Sequence, residues 1–136
     1  FLLTLALLGE KRLGKKSRFR NYIRSLSTNV STIHGFSPLQ RDFSEGWGMW
    51  EASEESVKQA QALVDAHPKA LVPPPEKSEY RWAMAHVSSR SFGIPRGGND
   101  ELIVINPILD FANHHHLPEK KSFRMGDVRS HGGRVE

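Results

Sequence analysis

Residues 80–89 carry apolar side chains on two adjacent faces of a helix: Tyr80, Ala83, Met84 and Val87 on one, Trp82, Ala85, His86 and Ser89 on the next. A helix apolar on two faces is mostly buried, so the rest of the chain has to be arranged around it. Arg90 ends this helix, where a guanidinium either binds the last helical carbonyls or finds another partner. After it, Gly93 to Asn99 holds three glycines and a proline and reads as a surface loop. Leu102–Ile105 is an unbroken aliphatic run, the pattern of a strand buried on both faces. Asn106-Pro107 breaks it, and Ile108, Leu109 and Phe111 are expected to be buried around Asp110, just before Asn113-His114.

The upstream half reads as helical packing. Residues 1–13 are helix formers, with Leu2, Leu5, Ala6 and Leu8 expected to face a core and Gly14 as the stop. Ser17 is expected to cap a second helix whose Phe19, Tyr22, Ile23 and Leu26 make one apolar face, completing a helical hairpin. From Ser27 to Trp50 the periodicity disappears into an irregular connection, which Trp47 and Trp50 are expected to pin to the core. Ser53 then reads as the cap of a third helix, with Glu54 and Glu55 in its first turn, Val57, Ala60, Leu63 and Val64 as its buried stripe and His67-Pro68 as its end. Val72-Pro73-Pro74-Pro75 reads as a stiff extended spacer, after which Ser78 is expected to cap the central helix.

Composition sets the outer bounds. At 136 residues the chain suits one domain with a real core, and its charge of +4, gathered in Lys11–Arg24 and Lys120–Arg134, fits a solvated surface. Aromatic and basic residues do not interleave as in a nucleic-acid module, so no nucleic-acid partner is expected. The apolar start, Phe1–Leu8, is far shorter than the roughly 20 residues that span a bilayer, and it lacks the flanks of a signal peptide; no membrane partner is expected. It reads instead as the interior of a helix whose beginning is cut away. The absence of cysteine excludes disulfides, thiolate metal sites and cysteine nucleophiles, but names no compartment. An intracellular one is expected. His114-His115-His116 invites a metal reading, but adjacent side chains in an extended turn diverge and no second ligand cluster completes a site. A hydrolytic triad lacks its Gly-x-Ser-x-Gly elbow.

Taken together, Tyr80-Arg81-Trp82-Ala83, Ser89-Arg90-Ser91-Phe92, Ile105-Asn106-Pro107 and Asp110-Phe111-Ala112-Asn113-His114 resemble the SET-domain methyltransferases of the Rubisco large-subunit methyltransferase type. Glu10, Ser17 and Tyr22-Ile23 are similar to an upstream Glu, Ser and Tyr-Ile of the same family. The resemblance implies an α+β chain: a mainly helical insertion region over 1–78, then short strands of an incomplete SET core over 79–136. It implies transfer of a methyl group from S-adenosyl-L-methionine to a lysine of a protein substrate. It further implies that Asn113 and His114, with the backbone at Phe111 and Ala112, contact the cofactor, that Arg90 approaches its carboxylate, and that Asp110 holds the turn. The family's Gly-x-Gly motif precedes the first helix and its catalytic tyrosine follows the Asn-His turn. This sequence starts at that helix and has no tyrosine after His114, so an internal fragment, inactive by itself, is expected. The rival from another class is a noncatalytic helical module that binds a protein partner through its aromatic and basic surface.

Overall fold

The computed structural model describes residues 1–44, 46–97, 100–108 and 110. They form an α+β arrangement, mostly helical with one small antiparallel sheet. Helix α1, Leu2–Leu13, buries Thr4, Leu7 and Leu8. Leu2 is 80 % exposed, Ala6 is exposed and Leu5 is half-buried, which corrects the expected face. With leucine or alanine at most positions from 2 to 8, periodicity carries no phase, and packing against a neighbour selects the face. Gly14 ends the helix as expected, with φ 52°.

Ser17 is not the cap of the next helix. It follows a 3-10 turn, Gly14–Lys16, and its Oγ accepts from Phe19 N at 2.9 Å, a local turn ahead of α2, Arg20–Ser25. Tyr22, Ile23 and Leu26 join the core, whereas Phe19 is exposed. The stretch expected to be irregular contains a second 3-10 turn, Ile33–Gly35, and the short helix α3, Pro38–Phe43. Ser37 and Gln40 form a reciprocal capping box at the start of α3, the chemistry of a Ser three residues ahead of a Gln.

Helix α4, Met49–Ala66, starts earlier than expected, from Gly48 in the left-handed region, with Glu51 in its first turn. Ser53 is therefore inside the helix and buried, where its Oγ lies 2.8 Å from His34 Nδ1. Val57, Ala60 and Val64 are buried as expected, and each fully buried Val contributes roughly 1.5–3 kcal/mol relative to exposure. Leu63 stays exposed at the edge of the stripe. Trp47 does not pin the loop; it is 73 % exposed. Trp50 does, because the guanidiniums of Arg41 and Arg81 stack on its ring at 4.0 and 4.5 Å.

The proline segment is more than a spacer, since Leu71 just before it and Pro75 at its end are buried. Helix α5, Lys77–Arg90, starts from Glu76 rather than Ser78, and Glu79 Oε2 accepts from Glu76 N at 3.0 Å. Arg12 Nη2 reaches the same Glu79 oxygen at 3.2 Å and Arg12 Nη1 donates to the Pro73 carbonyl, tying the end of α1 to the start of α5. The expected faces of α5 are covered except at their end: Tyr80, Ala83, Met84, Ala85 and His86 are buried and Trp82 and Val87 pack against the core, whereas Ser89 is exposed. Its neighbours are α1, α4 and the 3-10 turn at Ile33–Gly35.

The expected glycine loop is partly strand. β1, Phe92–Gly97, pairs antiparallel with β2, Asp100–Val104, with Phe92 opposite Val104 and Ile94 opposite Leu102, and an irregularity between Pro95 and Gly97. Pro95 is tolerated because both strands of a two-stranded sheet are edges. Leu102 and Ile103 are exposed, which corrects the expectation of a strand buried on both faces. An aliphatic run states a preference for β structure, and a two-stranded ribbon lacks the layers that would cover both sides of it.

The chain divides into two units after Ile105, and of the second, residues 106–108 and 110 are described. Asn106 organises that turn: its Oδ1 accepts from Ile108 N at 3.0 Å and its carbonyl from Asp110 N at 2.9 Å. Ile108 is exposed rather than buried beside Asp110. Among the described residues, no helix is long and apolar enough to cross a membrane.

Candidate functional site

Of the five residues assigned to cofactor binding, Arg90 is described; Phe111, Ala112, Asn113 and His114 lie outside the described residues, as does the run His114-His115-His116. Arg90 occupies the last turn of α5, and Ser91 leaves the helix in extended conformation. One turn back on the same face is His86, fully buried. Arg90 Nε donates to His86 Nδ1 at 3.1 Å, and His86 Nε2 lies 2.9 Å from the Ser27 carbonyl oxygen.

These two contacts fix the histidine. Nδ1 accepts from a guanidinium that has no acceptor of its own, so the ring proton sits on Nε2 and is donated to Ser27. The Ser27 carbonyl also accepts from Trp82 Nε1 at 3.0 Å, and the Trp82 and His86 rings meet edge-on with centroids 4.8 Å apart. The Lys11 ammonium lies 4.0 Å from the centre of the Trp82 ring, bringing α1 to the same cluster. A guanidinium fixed at Nε has its plane set, which suits recognition of a planar carboxylate.

Upstream, Ser17 Oγ donates to Glu10 Oε2 at 2.5 Å, joining the Glu and the Ser that the sequence singles out seven positions apart. Sequence reasoning missed the Ser27 carbonyl, because a backbone acceptor has no residue signature. It also missed the pairing of Glu54 with Lys77 and Arg81 across helices. Burial alone would raise the Glu54 carboxyl; the Lys77 hydrogen bond and the charges of Arg81 and Lys77 outweigh it and hold the pKa below its ordinary value. Among the described residues, no three His, Asp or Glu side chains gather as a metal site. Comparison with protein-family models, with curated proteins and with solved structures finds no match to this chain.

Proposed function

We propose that the chain is part of a protein-lysine methyltransferase of the SET type, using S-adenosyl-L-methionine. The observation that carries this reading is Arg90: a guanidinium in the Ser-Arg-x-Phe exit of a buried helix, with its plane set by His86. Bound S-adenosylmethionine would supply an activated methyl group on sulfur. Arg90 then binds the carboxylate of the amino-acid moiety by paired charge-assisted hydrogen bonds. The family resemblance would add Asn113 and His114, with the backbone of Phe111 and Ala112, as further contacts to the cofactor; all four lie outside the described residues. In such a reaction the protein's part would be alignment and exclusion of water from the acceptor amine.

The test is calorimetric titration of S-adenosylmethionine into the complete protein of which this chain is part. Asn113→Ala is expected to weaken binding by about tenfold or more, the loss of one or two hydrogen bonds to a charged ligand. Arg90→Lys is expected to weaken it as well, since an ammonium lacks the bidentate fork. Absence of binding, or an unchanged Kd in both variants, overturns the reading.

A second reading, a noncatalytic helical module for a protein partner, is favoured by one observation. Leu39, Phe43, Trp47 and Met49 are all exposed within a short stretch around α3, Phe43 by 80 %. The same titration separates the two, because this reading leaves S-adenosylmethionine without effect.

A further inference from the structure

A cavity of about 230 Å³ opens between α5 and the segment leading into α3, lined among others by Asn29, His34, Arg41, Ser78, Arg81 and Trp82. Among the described residues lining it there is no carboxylate, yet two guanidiniums meet there, both stacked on the Trp50 ring. Arg81 shares the single carboxylate of Glu54 with Lys77, so two cations share one anion. Arg41 directs its Nε to the Phe36 carbonyl at 3.1 Å, and no described carboxylate pairs with it. Arg81 Nε is buried without a hydrogen-bond partner among the described residues. A buried donor in that condition is uncommon in a folded protein and is satisfied when an acceptor enters. His34, which also lines the cavity, has its pKa lowered first by burial and then by the charge of Arg81.

We propose that this cavity is a binding site for an oxyanion, a carboxylate or a phosphate, received by Arg41 and Arg81, with the Trp82 ring as the apolar wall beside it. The guanidinium fork matches both anions. The site is separate from Arg90 and does not rest on the methyl-transfer reading.

The experiment follows the side-chain Nε–H resonances of arginine in the full chain, in a low-salt buffer free of phosphate and carboxylate, with inorganic phosphate and acetate added in separate titrations. A saturable shift of the Arg81 Nε–H signal with either anion supports the proposal, and the anion that binds more tightly identifies the class of ligand. Arg41→Gln is expected to weaken that binding about tenfold, while Lys58→Gln on the exposed side of α4 changes it less than about twofold. No saturable shift of the wild-type signal with either anion overturns the proposal, whatever the variants do. Equal weakening by Arg41→Gln and Lys58→Gln also overturns it, since that is the mark of general charge attraction.

Discussion

His86 and Arg90, one turn apart on α5, are joined by a hydrogen bond from the arginine Nε to the histidine Nδ1 at 3.1 Å. Because the other ring nitrogen is held by Ser27, the imidazole acts as a rigid bracket between a loop carbonyl and a helix-end guanidinium. His86→Leu fills similar space but supplies neither bond. It leaves the Arg90 Nε without this acceptor and is expected to lower stability by about 1–3 kcal/mol, read as an earlier urea midpoint. An unchanged midpoint would show that the bracket contributes nothing to the fold.

His34 gives the fold a pH dependence of definite sign. Burial, and then the nearby Arg81 charge, lower its pKa from the ordinary 6.5, so the folded state binds the proton less readily than the unfolded chain. The stabilisation is complete above pH 6.5 and is lost as pH falls below it, toward the lower folded value. Glu54, also depressed, adds a loss at more acid pH, below the ordinary carboxylate range. Thermal unfolding followed between neutral and mildly acid pH is expected to show a falling Tm, and His34→Gln to flatten the upper part of that fall. A parallel profile in the variant would assign the dependence to other groups.

The central helix was legible because two-faced burial leaves a mark in sequence: the residues of 80–87 expected to be covered are buried or packed against the core, while Ser89, placed on the same face, is exposed. The start of α4 was not. Ser53 has the right chemistry for a cap, but Gly48 in the left-handed region opens the helix a turn earlier, and Ser53 serves His34 from within it. Trp47 and Trp50 are equivalent by size, and what separates them is two arginines distant in sequence from each other, Arg41 and Arg81. Arg90 was found by its place at a buried helix end, whereas its partnership with His86 needed the phase of the helix and the position of the Ser27 carbonyl together.

Tyr80 is almost fully buried, and its hydroxyl has no hydrogen-bond partner among the described residues. Burial, and then the negative charge of Asp65, raise its pKa above the ordinary 10.0, which keeps the phenol neutral. The ring contributes to the core, but the unpaired oxygen is a cost. Tyr80→Phe is expected to raise stability by about 1 kcal/mol, measured as a later denaturant midpoint with unchanged slope. A lower midpoint would mean that the hydroxyl is hydrogen-bonded in solution.

Two glycines offer substitutions of opposite sign. Gly9 lies inside α1, and a Cβ there would meet Leu71 Cδ2 at 3.8 Å, an ordinary contact. Gly9→Ala therefore removes backbone freedom from the unfolded chain without a clash, and is expected to stabilise by about 0.5–1 kcal/mol. Gly35 closes the 3-10 turn that packs on α4 and α5, and a Cβ there would collide with the Val30 carbonyl oxygen. That oxygen is backbone and cannot yield by changing rotamer, so Gly35→Ala is expected to destabilise by about 1–3 kcal/mol. Val30 and Gly35 also line the cavity beside His34, so the same change is expected to displace the His34 ring resonances, whereas Gly9→Ala leaves them in place. Unchanged or raised stability in Gly35→Ala would refute the close approach of Gly35 to Val30.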